Sequence, residues 1–373
     1  MLYVSQFEPD VTKSFSNVAY HNVKCLQEQS INFEIRSLQN VVNWGELPSW
    51  LSSSQEYFTK TRSSMDCALL QLMPSDILKS HWVDPNKTVG YTVTETSLVP
   101  QWIAEAYNES LKGLIVPSGY VKKAFVDAGV KIPTHVVQHA LGPWWLKDYP
   151  NFGDKDANTY VFGNVGYWNS RKNQELLLKA YIKAFPTPRK DVALMLKTYK
   201  AQGVESLIAN LAKQDRPDIW VYNESWSEAQ MIWGYSQIDC YVSPHKGEGF
   251  GLTLANAAAL GKPVLYTNYS APSEWLGTDS HYTIDYENVK LTQADITVGY
   301  AHLDQSLEWA EPSMDHLIEQ LRMLERLRPT KGFEGEALSD FRKWVSWDTV
   351  GSDLVSAIEQ IIGKPLDTLR VDT

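Results

Sequence analysis

The residues whose types and spacing could bind a phosphorylated ligand lie in the stretch 243–263. Three glycines at alternate positions, Gly247, Gly249 and Gly251, follow the apolar run Cys240–Val242 and precede an alanine-rich segment. Glycines let a backbone approach a ligand closely, and the N–H groups at the start of a helix favour an anion. The stretch therefore predicts a strand, a bend and a helix, with phosphate as the expected ligand of the bend.

An acidic residue, Glu248, stands inside this bend. A carboxylate beside a phosphate is unfavourable unless it points at something else, and sugar hydroxyls are groups from which it can accept hydrogen bonds. A glycine-rich bend alone is equally compatible with a tight structural turn. The acid and the glycines together favour a ligand in which a sugar is joined to a phosphate.

This stretch resembles the donor-site signature of retaining glycosyltransferases of the GT-B fold, in particular glycosyltransferase family 4, the group 1 glycosyltransferases. The resemblance is carried by Glu248-Gly249-Phe250-Gly251-Leu252, the alanine-rich helix and Gly261-x-Pro263-Val264. In that family a second Glu, which usually holds the ribose, stands eight positions after the first. This chain has Asn256 there, so the resemblance implies a retained sugar site and leaves the ribose contact and the choice of donor open.

The resemblance also implies a role for two adjacent cations, Arg171 and Lys172. By composition alone a solvated basic pair is the better interpretation. The family, however, places a Lys and usually an Arg in this loop to hold the donor diphosphate. Its usual Arg corresponds to Tyr167 here, so we expect Arg171 to replace it. Such fixed cations imply catalysis without a metal, and Asp154 and Asp156 are interpreted as linker residues.

The complete set of expected site residues follows from this resemblance. The expected catalytic residues are Glu248, Lys172 and Arg171. The expected donor-binding residues are Gly247, Gly249, Phe250, Gly251, Leu252, Thr253, Asn256, Tyr222 and Asn223. Tyr222 and Asn223 stand where the family's chain passes the nucleobase, although an ordinary turn at the end of a strand is an equal alternative.

Other polar residues are weaker candidates for the site. The resemblance places Glu95 and His139 on the acceptor side, although Gln138 and Ala140 depart from the family's Val-x-Pro-His-Gly turn. His245 is expected either near phosphate or as a packing group of the turn. Glu274 is interpreted as an acid at the start of a helix.

Strand and helix patterns alternate in both halves of the chain and predict parallel sheets, whereas residues 40–65 show no clean period. Strands are predicted at 2–7, 31–36, 66–72, 88–93, 114–116, 136–139, 160–166, 192–196, 219–222, 240–242 and 264–266. Helices are predicted at 14–28, 100–109, 120–128, 174–185, 204–212, 227–235, 314–327, 336–345 and 349–362, with the alanine-rich helix before Gly261. The expected fold is α/β, namely GT-B, with two Rossmann-like doubly wound parallel-sheet domains that face a cleft. We predict an acceptor domain at 1–150, to which a C-terminal helix at 346–373 crosses back, and a donor domain at 151–345.

Composition restricts the class of protein. The 373 residues suit two domains, and 43% hydrophobic with 21% charged residues is ordinary for a globular chain. The net charge of −10 disfavours a nucleic-acid acceptor and an anionic membrane as partners. Three widely spaced cysteines are expected to be buried thiols in a reducing compartment. With no apolar leader or spanning run in the sequence, we expect a cytoplasmic protein.

The predicted function is transfer of a hexose from a nucleoside diphosphate sugar to an acceptor hydroxyl, with retention of configuration and no cofactor. UDP and GDP sugars are the expected donors. A nucleotide-sugar epimerase of the same fold and a non-catalytic sugar-nucleotide-binding relative are the alternatives. The acceptor stays open among a polysaccharide, a lipid-linked sugar, a metabolite, a protein and, for a viral chain, modified DNA.

Overall fold

The chain forms two compact units, which are described separately. The computed structural model describes residues 1–5, 14–37, 67–79, 84–149, 155–199, 201–277, 281–297 and 304–368. Unit 1 comprises Met1–Pro143, Val298–Leu307 and Lys343–Thr373, and unit 2 comprises Trp144–Thr297 and Glu308–Arg342. The predicted domain boundaries after residues 150 and 345 stay predictions.

Unit 1 is built on a parallel six-stranded sheet in the order β2-β1-β3-β4-β5-β6. Its strands are β1 (Leu2–Ser5), β2 (Glu34–Ser37), β3 (Ala68–Gln71), β4 (Thr88–Tyr91), β5 (Gly113–Val116) and β6 (Thr134–Val136). The described α-helices of this unit are α1 (Ser14–Glu28), α2 (Gln101–Ser110), α3 (Gly119–Asp127) and α12 (Trp347–Ile362). Strands β3, β4 and β5 are buried along their whole length, as expected for a parallel sheet covered on both faces.

The helix α12 packs closely against α1 because of a glycine at the contact. A Cβ at Gly351 would lie 2.5 Å from the backbone oxygen of Cys25, so only glycine fits this approach. The helix begins at a Ser346 cap, whose hydroxyl accepts from the Thr349 N–H, and it ends at Gly363 with φ 76°.

Unit 2 contains a second parallel six-stranded sheet, in the order β12-β11-β10-β7-β8-β9. Its strands are β7 (Tyr160–Val165), β8 (Val192–Thr198), β9 (Ile219–Asn223), β10 (Cys240–Ser243), β11 (Val264–Thr267) and β12 (Tyr282–Ile284). The helices that follow the first five of these strands are α4 (Gln174–Ala184), α5 (Val204–Lys213), α6 (Glu228–Gln237), α7 (Leu252–Ala259) and α8 (Pro272–Trp275).

The rest of unit 2 adds an antiparallel pair of strands and the later helices. The pair is β13 (Tyr286–Lys290) with β14 (Glu308–Pro312), and the helices are α9 (Gln293–Thr297), α10 (Met314–Leu327) and α11 (Gly335–Trp344), the last of which runs to the unit boundary. Helices α4 and α10 cover one face of the sheet, where Phe162, Leu194 and Leu265 are fully buried in one cluster. This cluster fixes the strands whose loops form the candidate site.

The predicted α/β class with two doubly wound parallel sheets is confirmed. The predicted bounds of α1 and α10 agree with the structure. The predicted strand at 136–139 is wrong, because β6 ends at Val136. Beyond it, the Gln138 side chain donates to the Trp344 oxygen at 2.9 Å, and His139 pairs with the Tyr91 hydroxyl.

The three cysteines, Cys25, Cys67 and Cys240, are free and buried, which confirms the prediction of buried thiols. Within the described segments, no helix combines the length and the apolarity needed to cross a bilayer. The predicted linker residues 151–154, and the end of the predicted first strand after Ser5, lie outside the described residues.

Four buried histidines predict a loss of stability in mild acid. Burial lowers the pKa of His21 and His139 to about 3 and that of His245 and His281 to about 4. Unfolded histidines titrate near pH ~6.5, so below that pH the unfolded chain binds protons that the folded chain excludes. The free energy of unfolding should therefore have its full value above pH ~6.5 and decrease towards pH 4. Each histidine contributes a slope of at most about 1.4 kcal/mol per pH unit.

Urea unfolding at several pH values between 7 and 5 measures this effect. His281→Asn should make the dependence shallower, since an amide oxygen can replace the ring nitrogen that accepts from the Val264 N–H at 3.2 Å. A free energy of unfolding that stays constant over this range in the wild-type chain would contradict the prediction.

Candidate functional site

The candidate site lies where the strand order of the second sheet reverses. From β7 the chain adds β8 and β9 on one side, and then β10, β11 and β12 on the other. The loops after β7 and β10 leave neighbouring strands at their carboxyl ends. In open α/β sheets the crevice at such a reversal is where ligands bind.

The loop after β7 places the two cations. The side-chain oxygen of Asn169 accepts from the Lys172 N–H at 2.8 Å, and its backbone oxygen accepts from the Asn173 N–H at 3.0 Å. Asn173 adopts φ 59° and ends the turn, after which α4 begins. The turn thereby holds Arg171 and Lys172 in fixed positions before the helix.

Both cations pair with one oxygen of Glu248. Its Oε1 lies 2.9 Å from Arg171 Nη1 and 2.5 Å from Lys172 Nζ. All three side chains are largely buried, with 7% of Glu248, 10% of Arg171 and 14% of Lys172 exposed. Among the described residues, no hydrogen bond to the other oxygen, Oε2, is found. One carboxylate oxygen thus pairs with both cations, and no described residue bonds to the second.

The environment keeps Glu248 ionised. Burial by itself would raise the pKa of this carboxyl, but the charges of Arg171 and Lys172 outweigh it and lower the pKa to about 2. The side chain is therefore a carboxylate throughout the neutral range. It can accept hydrogen bonds but cannot act as an acid there.

Backbone contacts tie the bend to the cationic loop. Arg171 Nη1 donates to the Gly247 oxygen at 2.7 Å, and the Lys246 N–H donates to the Arg171 oxygen at 2.8 Å. Gly251 has φ +93°, and a Cβ there would lie 3.0 Å from Pro272 Cγ, so this position requires glycine. No side chain among the described residues caps α7, which leaves its first N–H groups for an anion.

Three predicted donor-binding residues lie on one face of α7. The side chains on this face are half-buried, namely those of Leu252, Thr253 and Asn256. The remaining residues of the helix are buried. Asn256 Oδ1 is buried and has no hydrogen-bond partner. The role of Asn256 towards a donor stays a prediction.

Phe250 and Glu274 occupy different surroundings. The Phe250 ring is buried and stacks on Trp275 with centroids 5.7 Å apart, and its backbone oxygen accepts from Trp275 Nε1 at 3.1 Å. Glu274 is exposed in the first turn of α8. Phe250 thus supports the bend through its contacts with Trp275. Glu274 has the position of an acid at the start of a helix.

His245 packs beneath the bend. Its Nδ1 lies 3.1 Å from Ser243 Oγ and its Nε2 lies 3.2 Å from the Tyr269 oxygen. Both nitrogens are satisfied when Nε2–H donates to Tyr269 and Nδ1 accepts from Ser243. The fully buried ring therefore favours the packing alternative over a contact with phosphate.

The Asn223 side chain has local partners. Its oxygen accepts from the Ala201 N–H at 2.9 Å, and its nitrogen donates to the Ala201 oxygen and to Glu205 Oε1. Tyr222 packs on Trp226 with centroids 5.1 Å apart. Asn223 thus stabilises the loop before α5, while Tyr222 belongs to an aromatic group.

A buried lysine completes this aromatic group, and sequence reasoning missed it. Lys197 Nζ donates to the backbone oxygens of Thr198 and Glu224, each at 2.7 Å, and lies 5.1 Å from the centroid of Trp226. Its only signal in the sequence is a cation at the end of an apolar strand.

The two predicted acceptor-side residues lie in unit 1. His139 is buried, and its Nδ1 lies 2.8 Å from the Tyr91 hydroxyl. Burial lowers the pKa of His139 to about 3, so the ring is neutral. Glu95 is half-buried, and its backbone oxygen accepts from the Tyr120 hydroxyl at 3.3 Å. Their roles towards an acceptor stay predictions.

The described segments contain no group of three or more His, Cys, Asp or Glu residues arranged to hold a metal ion. Asp156 accepts from the Asn158 N–H at 3.0 Å within a turn, and Asp154 lies outside the described residues.

A known family of proteins matches the part of the chain that contains this site. Residues 147–296 match the model of the family described as glycosyl transferases group 1, a span that contains Arg171, Lys172 and Glu248. No curated protein sequence matches the chain.

Solved structures similar to the chain include several glycosyltransferases. HepE of Anabaena has a TM-score of 0.63 at 14% identity, covering 96% of this chain and 99% of that one. Sucrose-phosphate synthase of Thermosynechococcus elongatus has a TM-score of 0.69 at 11% identity, covering 97% and 98%. The lipopolysaccharide outer core galactosyltransferase WaaB has a TM-score of 0.62 at 12% identity, covering 96% and 99%. These likenesses show that the chain has the GT-B fold.

Proposed function

We propose that this chain, which carries a glycosyltransferase group 1 domain, transfers a hexose from a nucleoside diphosphate sugar to an acceptor hydroxyl, with retention of the anomeric configuration and without a metal ion. One observation carries the proposal. The Glu248 carboxylate lies between Arg171 and Lys172, beside the uncapped start of α7 and at the reversal of the strand order.

The diphosphate leaving group is stabilised by fixed positive charge. Its negative charge grows as the bond to the sugar breaks, and preorganised donors lower the energy of that state. The N–H groups of Leu252 and Thr253 at the start of α7, with Lys172, receive the phosphates. Arg171 also donates to the Gly247 oxygen, so it holds the bend in place while it adds charge.

Glu248 orients the sugar. Oε1 stays on the cations and Oε2 accepts from hexose hydroxyls, which fixes the ring relative to the diphosphate. In the proposed retaining mechanism the acceptor hydroxyl attacks the anomeric carbon from the face that the diphosphate leaves. The departing phosphate oxygen takes the proton of that hydroxyl. Positioning and electrostatics supply most of the rate.

Ligands of similar proteins support UDP sugars as the first donors to test. HepE of Anabaena has been crystallised with UDP and glucose and with UDP-glucose. GDP sugars are the second choice. The free, buried thiols of the chain fit the proposed cytoplasmic location.

A non-catalytic binding protein is the second candidate, because Asn256 replaces the family's second acid and its oxygen is unpartnered. Both candidates require donor binding, but only the transferase releases free nucleoside diphosphate in the presence of an acceptor. Release of diphosphate from a tightly bound donor therefore separates them.

A thermal-shift screen of UDP, GDP, ADP and dTDP sugars tests the proposed donor site. A ligand at a hundred times its dissociation constant stabilises the folded chain by about 2.7 kcal/mol. We expect the shift with a UDP or GDP sugar, and a much smaller one with the matching nucleoside monophosphate, which lacks the second phosphate. A screen in which none of the four sugars raises the melting temperature would contradict the proposed function.

A further inference from the structure

Ser270 has a strained backbone next to the candidate site. It lies between β11 and α8 with φ 64°, and its side chain is buried. L residues rarely adopt this conformation, whereas glycine adopts it without strain. Strain of this kind persists where the surrounding structure imposes it, which is often at functional sites.

The Ser270 hydroxyl bonds to the backbone of Glu248. Its Oγ accepts from the Glu248 N–H at 2.9 Å and donates to the Tyr269 oxygen at 2.6 Å. The next residue, Ala271, donates its N–H to the Glu248 oxygen at 3.2 Å. One short turn therefore bonds both backbone polar groups of Glu248.

These bonds restrict the direction of the Glu248 side chain. Because the N–H and C=O groups of Glu248 are both hydrogen-bonded, its backbone has little freedom to rotate. The side chain therefore projects from the bend in one direction. That direction brings Oε1 to Arg171 and Lys172. A glycine at 270 would relieve the strain but could not accept from the Glu248 N–H.

We propose that Ser270 is a positioning residue that sets the orientation of the Glu248 carboxylate. The consequence for sugar orientation rests on the proposed transferase function, whereas the effect on the carboxylate does not. The strained backbone is maintained because it brings Oγ onto the Glu248 N–H.

Two substitutions of Ser270 distinguish the effect of losing the hydroxyl from the effect of relieving the backbone strain. Ser270→Ala removes Oγ and keeps the strain, and Ser270→Gly removes Oγ and relieves it. We expect both variants to lower kcat by roughly 10–100-fold, as for a small misplacement of a catalytic group. Both should bind UDP, which lacks the sugar, with an affinity equal to or higher than that of the wild-type chain, and Ser270→Gly should melt at a higher temperature than Ser270→Ala.

Ser273→Ala is the matched control. The Ser273 hydroxyl donates to the Ser270 oxygen at 2.7 Å in the same turn but does not bond to Glu248. This variant should keep the wild-type kcat. A purely structural role for Ser270 predicts instead that kcat follows the melting temperature, so that Ser270→Gly is more active than Ser270→Ala.

Crystal structures of the wild-type chain and of Ser270→Gly give a readout that needs no activity. We expect Glu248 Oε1 to move beyond 4 Å, the limit of an ion pair, from Arg171 Nη1 in the variant. A carboxylate that stays in place would overturn the inference, whatever the kinetics. A displaced carboxylate in a chain with no turnover on any donor would support the inference and count against the transferase function alone.

Discussion

Glu248→Gln is expected to lower kcat by roughly 10²–10³-fold without weakening the binding of UDP. The amide has nearly the shape of the carboxylate but lacks its charge, so it accepts more weakly from the sugar hydroxyls. It also removes the negative charge that Glu248 places beside Arg171 and Lys172. The diphosphate then meets two cations that residue 248 no longer neutralises, and its affinity should be equal to or higher than in the wild-type chain.

The same variant should be less stable without ligand. Removing one partner from a buried ion pair costs on the order of 3 kcal/mol, because the remaining charge stays buried. UDP should restore part of this loss, so the thermal shift that it causes should be larger in Glu248→Gln than in the wild-type chain. Thermal-shift and steady-state measurements on the two proteins compare these quantities directly.

Glu175→Gln is the matched control for this carboxyl-to-amide change. Glu175 pairs with Lys179 on the exposed face of α4 at 2.6 Å, with 66% of its side chain exposed. Exposed pairs of this kind contribute little to stability, so kcat and the melting temperature should stay close to wild type. Wild-type turnover in Glu248→Gln, or a large loss of UDP affinity, would contradict the proposed role of the carboxylate.

After Glu248→Gln, the substitution Lys172→Ala should have the largest effect. It should weaken donor binding and also lower turnover. A hydrogen bond to a charged group contributes about 1.5–3 kcal/mol, so the dissociation constant for UDP should rise by roughly 10–100-fold. The value of kcat should also fall, because the ammonium stabilises the charge that develops on the leaving phosphate. Calorimetric titration with UDP, together with initial rates, measures both effects.

Lys179→Ala removes a cation from the same helix region and serves as the control. Lys179 Nζ is paired with Glu175 on the surface, and 60% of its side chain is exposed. Its loss should leave UDP affinity and turnover unchanged. Equal behaviour of the two lysine variants would show that Lys172 does not hold the diphosphate.

Periodic segments of the chain could be predicted from the sequence. Helix α10 has a clear apolar repeat and a serine cap, and its predicted bounds agree with the structure. The polar strand β13 was missed because four of its five residues are exposed, which leaves no buried alternation to detect. The bounds of β6 were also mispredicted, because its first residues, Thr134 and His135, are polar and the apolar pair Val136-Val137 lies at its end.

The candidate site was only partly accessible from the sequence. The glycine bend and its acid are local features, and the family resemblance placed Glu248 and the two cations in one donor site. Arg171 and Lys172 share a single oxygen of Glu248, which lies 76 positions from Lys172 in the chain, so no local pattern could reveal this contact. The positive φ of Ser270 was equally hidden, since a serine gives no sign of such a backbone.

A crystal structure of the chain soaked with UDP-glucose shows directly whether Glu248 and Lys172 bind the donor. We expect the diphosphate to lie against the first N–H groups of α7 and within hydrogen-bond distance of Lys172 Nζ, with Glu248 Oε2 accepting from a hexose hydroxyl. A diphosphate bound elsewhere on unit 2, or a hexose that does not contact Glu248, would contradict it.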